Sequence, residues 1–304
     1  MKKNILLTGA NSFNGSNLFN KIILNNQFNV FGLVREGSSI SYINKQNLKN
    51  NIIFFNKNKN HFEEIIKKIN PDIVIHMATY YHATHTTDDI KLMIDAVIEF
   101  PTLILDILSK LNKKIYFINT GTSAQHNNDS ILYSPTSLHS SLKESFEQIL
   151  QYYYLNNNIN FTTLKLFHTY GPNDNRGKVI SIIARSIINN ERLSLSPGDQ
   201  EMDLVHCDDV TNAYIELCNL ILKNQIIEKC YGVSSQKIIT LKNLASNIEM
   251  ILNKKGNFAW GEKNYKYREE MICWRSGLKL LPNWKPEIEL FDGLQFLKNE
   301  FKNV

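Results

Sequence analysis

Residues Lys3–Phe19 read K-N-I-L-L-T-G-A-N-S-F-N-G-S-N-L-F, an apolar run followed by a turn with two glycines and the start of a helical pattern. A buried strand, a tight turn and a helix N-terminus in this order form a phosphate site, because the first N–H groups of a helix have no partner within it. Gly9 permits the turn, and Gly15 lets the helix pack closely on the strand. Ser12 stands where the pattern G-x-x-G-x-x-G has its middle glycine. The stretch predicts a site for nucleotide phosphates, and the alternative is a turn that holds no ligand.

Strand-like and helix-like patterns alternate through the first half of the chain. Apolar runs of strand length, separated by amphipathic helices, indicate a parallel sheet covered on both faces. Right-handed crossovers then give an α/β fold with a doubly wound parallel sheet of the Rossmann type. The predicted strands are Asn4–Thr8, Asn29–Val34, Asn51–Asn56, Asp72–Met77, Ile115–Thr120 and Phe161–Phe167, and the predicted helices run to about Asn25 and over His61–Ile69, Asp88–Leu111 and Ser137–Leu155, with a kink or break at Pro101.

The pattern loosens after Gly171 and Pro172. We expect residues 1–170 to form the nucleotide-binding domain, with a return contribution near 203–225. Residues 171–304 are then a smaller C-terminal lobe that binds the substrate over the carboxyl edge of the sheet. The predicted elements of this half are a helix over Val179–Asn189, a strand over Asp203–Asp209 with Asp208 or Asp209 as the N-cap of a helix to about Leu222, a helix over Thr240–Leu252 and a terminal helix over Leu290–Phe301.

Composition and charge exclude several classes of protein. The 304 residues carry a formal net charge of +5, which is too small and too dispersed for nucleic-acid binding but suits an anionic small ligand. No apolar stretch is long enough to span a membrane, and the first strand leaves no room for a signal peptide, so a cytoplasmic protein is expected. The four cysteines are scattered, and neither a carboxylate nor a cysteine completes a set with His82 and His85, so no metal site is predicted.

The end of the second predicted strand favours NADP(H) over NAD(H). In a doubly wound fold this position faces the adenosine ribose, where an acidic residue would bind the ribose hydroxyls of NAD. The strand ends at Val34 and Arg35 instead, and an arginine suits a phosphate dianion. Ser38 and Ser39 add hydroxyl donors. The alternative is a solvated Arg35 that pairs with Glu36.

Four motifs, in one order along nearly the whole chain, resemble those of the extended short-chain dehydrogenase/reductases that modify nucleotide sugars. Thr8–Gly15 is similar to the family's T-G-x-x-G-x-x-G, and Pro71–Ala78 is similar to its P-D-x-V-x-H-x-A. Lys165–Pro172 resembles R-x-x-N-x-Y-G-P. Asp203–Val210 resembles R-D-F-V-x-V-x-D-V, whose leading arginine is Met202 here.

Within that family, three segments most resemble the CDP-paratose and CDP-abequose synthases, which reduce a 4-keto sugar on a CDP carrier with NADPH. These segments are Phe117–Ser123, Leu164–Gly171 and Arg268–Met271. The resemblance implies NADP(H), a nucleoside-diphosphate sugar as substrate, and a homodimer built from the helices around residues 88–111 and 137–155. Together with the phosphate turn and Arg35, it implies cofactor contacts from Thr8, Gly9, Asn11, Ser12, Phe13, Asn14, Gly15, Arg35, Met77, Ala78, Lys143, Phe167 and His168, and substrate contacts from Tyr80, Tyr81, His82, Thr122, His139, His168, Val179 and Arg268.

The family's catalytic set consists of a Ser or Thr after the fifth strand, a Tyr, and a Lys four residues after that Tyr. Positions i and i+4 share a helix face, so both side chains reach one site. In this chain the lysine is Lys143, and His139 stands where the family has Tyr. The hydroxyl residue is Thr120 by its place in the strand, or Thr122 by the resemblance of G-T-S.

Three interpretations of His139 stay open. Its imidazolium can protonate a developing alkoxide, although the charge of Lys143 disfavours that form. Alternatively, Tyr80, Tyr81 or His82, in the loop after the fourth strand, supplies the acid. Lastly, the protein has lost the chemistry and only binds the nucleotide sugar.

By resemblance, the chain is an NADPH-dependent reductase of a 4-keto sugar on a nucleoside diphosphate, with CDP as the carrier, in deoxysugar or surface-polysaccharide biosynthesis. One alternative is a nucleotide-sugar epimerase or dehydratase that recycles a tightly held cofactor, usually NAD. Another is a catalytically impaired member that lacks the Tyr and binds a nucleotide sugar.

Overall fold

The structure, a computed structural model, describes residues 2–44, 51–56, 58–82, 84–156, 158–226 and 228–300. Residue 301, the predicted end of the terminal helix, lies outside this part. The described strands are β1 Lys3–Thr8, β2 Phe28–Arg35, β3 Ile52–Phe55, β4 Ile73–His76, β5 Ile115–Thr122, β6 Ile159–Leu166, β7 His168–Tyr170, β8 Arg192–Leu195, β9 Glu201–His206, β10 Cys230–Val233, β11 Ile238–Thr240 and β12 Asn257–Trp260. The described helices are α1 Phe13–Ile22, α2 Lys59–Ile69, α3 Thr87–Ile94, α4 Phe100–Ser109, α5 Leu138–Asn156, α6 Val179–Asn189, α7 Cys207–Leu222, α8 Leu241–Leu252, α9 Leu290–Gly293 and α10 Phe296–Glu300.

Seven of the described strands form one parallel sheet in the order β10-β6-β5-β4-β1-β2-β3. Consecutive residues of β1 explain why helices cover both faces. Ile5 and Leu7 point into one apolar core and Leu6 into the other, and all three are fully buried. This arrangement confirms the predicted α/β, doubly wound fold.

The strand order reverses between β1 and β4, which places a crevice at the carboxyl ends of these two strands. After β1 the chain turns into α1, whose Leu18 and Phe19 pack in the same core as Ile5. Helix α5 packs in the opposite core through Phe146 and Leu150. Ligands of doubly wound proteins bind in such a crevice, so the fold alone indicates where to look for the site.

A smaller group of elements follows β6. Strand β9 pairs in parallel with β7 and antiparallel with β11, and β8 pairs with β12. Helices α6 and α8 cover these strands through a third apolar core, which includes Ile183, Leu204 and Leu244. Strand β10 then returns to the edge of the large sheet beside β6.

The long predicted helix over Asp88–Leu111 contains a π-helical turn at Asp95–Glu99 between α3 and α4. The turn comes directly before Pro101, which lies in the first turn of α4. Proline has no N–H to give to the carbonyl four residues earlier, and the N–H of Phe100 bonds instead to the carbonyl of Asp95. The helix continues through this break, so the expected kink or break takes the form of a π-turn.

Two further expectations about helix ends fail. The N-cap of α7 is His206 and neither Asp208 nor Asp209, because the His206 Nδ1 accepts the N–H of Asp208 at 3.2 Å. The Asp209 carboxylate accepts instead the N–H groups of Glu287 and Ile288, both at 3.1 Å. The predicted terminal helix is divided into α9 and α10. Strands β8, β10, β11 and β12 have no predicted counterpart, since each has at most four residues, which is too short for a clear strand pattern.

Candidate active site

The turn between β1 and α1 needs both of its glycines. Gly9 has a φ of 69°, and a Cβ there would lie 2.7 Å from the Ala78 nitrogen. A Cβ on Gly15 would lie 2.0 Å from the Gly9 carbonyl oxygen. Ser12 occupies the place of the pattern's middle glycine as the N-cap of α1, where its Oγ accepts the N–H of Gly15 at 3.1 Å. The first turn of α1 has no acidic residue, so its remaining N–H groups are available to an anion.

Thr8 and His76 connect the ends of β1 and β4 below the turn. The Thr8 Oγ1 accepts the N–H of Ala78 at 3.3 Å and is hydrogen-bonded to the His76 Nδ1 at 2.8 Å. His76 is fully buried, and burial, followed by the charge of Lys143, holds its pKa well below the usual value. It is therefore a neutral, packed histidine that fixes the two strand ends.

The residues around the turn fit a nicotinamide dinucleotide. Asn14 donates to the Thr169 Oγ1 at 3.2 Å, and its own buried Oδ1 has no partner among the described residues. Asn11 donates to the Ser39 carbonyl at 3.0 Å, which ties the turn to the loop after β2. Arg35 ends β2 with an exposed side chain. A buried acceptor without a partner, a turn made of glycines and an exposed cation are groups that can bind the hydroxyls and phosphates of such a cofactor.

Helix α5 carries the predicted Lys143 and His139 four residues apart on one buried face. Lys143 is 3% exposed, and burial lowers the pKa of its ammonium to about 8 although the Glu147 carboxylate opposes that shift. The His139 Nε2 lies 2.9 Å from the Thr79 Oγ1. Burial, then Lys143, then Lys178 lower the pKa of His139 to about 3. At neutral pH the ring carries no charge, which weighs against an imidazolium acid at this position.

We therefore expect no protonation of His139 between about pH 5 and pH 8, since its charged form is disfavoured by burial and by two cations. The measurement is the pH dependence of the histidine Cε1–H NMR signals, with the His139 signal identified by its loss in His139→Asn. A His139 signal that titrates between about pH 5 and pH 8 would contradict the assignment of a neutral ring.

The two candidate hydroxyls after β5 differ in their bonding. The Thr120 Oγ1 donates to the His76 carbonyl at 2.7 Å and therefore accepts from the Tyr214 hydroxyl, also at 2.7 Å. The Thr122 Oγ1 accepts the N–H of Ala124 at 3.3 Å as an N-cap, so its hydrogen remains available. Of the two, Thr122 has a donor to offer to a ligand oxygen.

The loop after β4 divides its three aromatic candidates into two groups. The Tyr80 hydroxyl donates to the Asp89 Oδ1 at 2.9 Å, and the His82 Nδ1 lies 3.6 Å from the Asp89 Oδ2. The Tyr81 ring instead packs edge-on against the His139 ring, with centroids 5.0 Å apart. The Lys178 ammonium lies 4.2 Å from the centroid of the same tyrosine. Only Tyr81 of the three candidates thus contacts His139 of the predicted catalytic helix.

The remaining predicted ligand residues lie on several elements. The Arg268 guanidinium donates to the Pro135 carbonyl and to the Ser134 Oγ, both at 2.8 Å, and so holds its segment against the loop before α5. The Phe13 ring of α1 lies under the Arg176 guanidinium, 4.2 Å from its carbon. The others are buried Met77 and half-buried Ala78 after β4, buried Phe167 and exposed His168 after β6, and half-buried Val179 at the start of α6.

A buried polar network behind Lys143 was not predicted. Gln125 donates to Glu144 at 2.7 Å and to Glu147 at 2.8 Å. The Lys165 ammonium lies 3.8 Å from each of these carboxylates and 2.9 Å from the His126 Nε2. The spacing of Glu147, four residues after Lys143, was a usable signal, because it continues the face of His139. Nothing local pointed to Arg176, Lys178 or Thr79.

One group of possible metal ligands occurs among the described residues, formed by His206, Cys207 and Asp208 with ligand atoms within 4.8 Å of one another. The His206 Nδ1 already accepts the N–H of Asp208, and burial raises the pKa of the Cys207 thiol to about 12. A protonated thiol and an occupied imidazole nitrogen are poor metal ligands. None of the helices in the described ranges is long and apolar enough to cross a membrane.

Comparison with known proteins identifies a family for the chain. The family model described as "NAD dependent epimerase/dehydratase family" matches residues 5–227. The chain is 27% identical to the CDP-abequose synthase of Yersinia pseudotuberculosis over 267 residues, which are 88% of this chain and 90% of that protein. It is 24% identical to the CDP-abequose synthase of Salmonella typhimurium over 98% of both chains. Its fold matches the UDP-glucuronic acid 4-epimerase of Bacillus cereus with a TM-score of 0.86 at 20% identity, over 99% of both chains.

Proposed function

This chain belongs to the NAD-dependent epimerase/dehydratase family of nucleotide-sugar-modifying short-chain dehydrogenase/reductases, and we propose that it reduces the 4-keto group of a sugar carried on cytidine diphosphate, with NADPH. The observation that carries the proposal is the buried, cationic Lys143 on the helix that faces the crevice beside the phosphate turn. The choice of a CDP sugar is supported by the names of the relatives, CDP-abequose synthases in Yersinia and Salmonella.

The chain's own groups would perform four tasks around the bound ligands. When bound, the reduced nicotinamide supplies a hydride to the keto carbon. The N–H groups at the start of α1 hold the pyrophosphate over Gly9 and Gly15. Lys143 holds the ribose of the cofactor and places a positive charge beside the reacting oxygen. Thr122 donates to that oxygen. Thr120 bonds to the His76 carbonyl and to the Tyr214 hydroxyl, and so holds the end of β5 in place.

Further ligand contacts belong to the same proposal. The residues proposed to contact the cofactor are Thr8, Gly9, Asn11, Ser12, Phe13, Asn14, Gly15, Arg35, Met77, Ala78, Lys143, Phe167 and His168, and those proposed to contact the substrate are Tyr80, Tyr81, His82, Thr122, His139, His168, Val179 and Arg268. Most of these residues directly follow the carboxyl ends of β1, β4, β5 and β6, which supports the assignment.

Arg35 supports NADPH in preference to NADH. Its side chain is exposed at the end of β2, and no ion pair joins it to Glu36 or to another carboxylate in the described part of the chain. A guanidinium free to meet a phosphate dianion would form charge-assisted hydrogen bonds that only the 2′-phosphate of NADPH offers.

Replacing Arg35 by Ala is expected to raise the Kd for NADPH about 10-fold, which corresponds to about 1.4 kcal/mol. The Kd for NADH should change by less than about twofold, because NADH lacks that phosphate. Fluorescence titration of the reduced cofactors measures both constants. Arg185→Ala, which removes an exposed arginine from α6, is the matched control. An equal loss of affinity for both cofactors would show that Arg35 does not read the 2′-phosphate.

The decisive assay combines purified protein, NADPH and a panel of 4-keto sugars on CDP, UDP and dTDP. Stoichiometric oxidation of NADPH, greatest with the CDP sugar, is the expected result. Product formation without net consumption of NADPH would instead indicate an epimerase or dehydratase. Binding of the nucleotide sugar by calorimetry, with no product, would indicate a protein that has kept only the binding site.

We also propose a homodimer that joins the outer faces of α3 and α5. Ile90, Leu92 and Ile94 on α3 and Tyr152 and Leu155 on α5 are exposed apolar side chains. An apolar face of two neighbouring helices is a typical contact between protein copies. Light scattering should give twice the mass of the chain, and a monomeric mass at micromolar concentration would reject the dimer.

A further inference from the structure

We propose that Tyr81 is the catalytic acid of this site, and that its phenol takes the role of the tyrosine that α5 lacks. The inference rests on the reductase function proposed above, since it names the group that protonates the sugar oxygen.

The Tyr81 ring is placed beside the catalytic face of α5. It packs edge-on against His139, at a centroid distance of 5.0 Å and an interplanar angle of 85°. His139 lies one helical turn before Lys143 on the same buried face of α5, so the Tyr81 ring packs at the N-terminal end of that face. Tyr81 is nevertheless 45% exposed, which leaves part of its side chain accessible to a ligand.

Two cations beside Tyr81 suit a group that must become an anion. The Lys178 ammonium lies 4.2 Å from the ring centroid. Burial raises the pKa of Tyr81, and the Arg176 guanidinium opposes that rise. Arg176 also lies 4.2 Å from the ring of Phe13, in the first turn of the cofactor helix. Lys178 and Arg176 thus supply positive charge near Tyr81, and positive charge stabilises a phenolate as it forms.

The other candidate acids are committed elsewhere. The Tyr80 hydroxyl donates to Asp89, and this bond raises the pKa of Tyr80. His82 faces the same carboxylate. The His139 ring is held neutral and is bonded through Nε2 to Thr79, so it serves as a positioning residue for Tyr81.

The proposed step is balanced in atoms and electrons. A bound reduced nicotinamide would supply the hydride for the new C–H bond, and the π electrons of the carbonyl would move to its oxygen. The O–H bond of Tyr81 breaks, and its proton joins that oxygen to give the alcohol. The phenolate that remains lies beside Lys178 and Arg176, and water returns the proton because the side chain is exposed.

Tyr81→Phe is the direct test, because it removes the proton and keeps the ring. We expect kcat to fall about 10²- to 10³-fold with the Kd for NADPH unchanged. Tyr133→Phe is the matched control, since the exposed Tyr133 also lies beside α5, where its hydroxyl donates to the Ser141 Oγ. The kcat of this control should stay within about twofold of the wild type. His139→Asn, which keeps a neutral hydrogen-bonding side chain, should lose less activity than Tyr81→Phe. A Tyr81→Phe enzyme as active as the wild type, or a larger loss in His139→Asn, would overturn the assignment.

A second measurement uses the protein without ligands. In protein labelled with ¹³C at the tyrosine Cζ, the Tyr81 signal is identified by its absence in Tyr81→Phe. Arg176→Gln should raise the pKa of that signal, because the guanidinium that lowers the pKa of Tyr81 is removed while neutral His139 remains. An unchanged titration would overturn the proposed coupling. A wild-type protein that oxidises no NADPH with any sugar of the panel would instead reject the reductase function, and the two failures are thus distinguishable.

Discussion

Lys143→Met should lower kcat/KM about 10³-fold, the largest catalytic effect expected for a single side chain of this protein. Methionine keeps the length and burial of the side chain but removes its charge. The buried ammonium is the one positive charge on the catalytic face of α5 among the described residues, and its site is 3% exposed. Initial rates with NADPH and the best 4-keto sugar measure the effect. Lys68→Met, which changes an exposed lysine of α2, is the control and should leave the rate unchanged.

The same substitution should have the opposite effect on stability. Burial holds the pKa of Lys143 at about 8, below the ordinary lysine value of about 10.5. Between these two values the unfolded chain binds a proton that the folded protein has released, so the wild-type free energy of unfolding rises with pH in that window. Lys143→Met lacks this rise and should be more stable than the wild type at pH 7, where the wild type buries a charge. A variant that is both inactive and less stable in urea would show that Lys143 is structural.

Gly15→Ala should abolish measurable cofactor binding, with a Kd raised more than about 100-fold, and lower the free energy of unfolding by about 3 kcal/mol. Alanine inside a helix is ordinarily more stable than glycine by about 1 kcal/mol, so the expected sign is opposite to that of helix propensity. The reason is steric. The new Cβ would lie 2.0 Å from the Gly9 oxygen and 2.9 Å from its carbonyl carbon, and both atoms belong to the backbone. The turn must open, which moves the N–H groups that would hold the pyrophosphate.

Gly261→Ala provides the comparison for this prediction. Gly261 has a φ of 77°, and a Cβ there would meet no atom within 4 Å. Its substitution should cost only the strain of a left-handed alanine, about 1 kcal/mol, and leave cofactor binding intact. Fluorescence titration with NADPH and urea unfolding compare the two variants. Normal cofactor affinity in Gly15→Ala would disprove the close approach of α1 to β1 on which the phosphate site depends.

The large sheet was predictable because each of its main strands is marked by a pattern of neighbouring residues. Apolar runs such as Ile5–Leu7 and Ile115–Ile118 have no alternating polar residues, and burial on both faces of a parallel sheet requires that pattern. The spacing of Gly9 and Gly15 was informative for the same reason, since the turn and the helix start lie within one short segment. Strand β10 was not predictable, because its four residues become a strand only where the edge of β6 offers hydrogen-bond partners.

The candidate site was predictable only as far as its helix spacing. The interval between His139 and Lys143 placed both on one face of α5 from sequence alone. The protonation state of His139 could not be predicted from the sequence, because it depends on Thr79 and Lys178, which lie about 60 and 40 residues away along the chain. The choice between Thr120 and Thr122 likewise depended on Tyr214, from a helix on the other side of the sheet.

Local patterns in the chain were thus sufficient for the doubly wound sheet, the phosphate turn and the lysine-bearing helix, because each depends on neighbours within a few residues. Which titratable groups lie close together in a buried environment was decided by the tertiary structure alone. Burial and nearby charge shift a pKa only after distant segments have packed together. That packing makes His139 neutral and brings Tyr81 against it under the Lys178 ammonium.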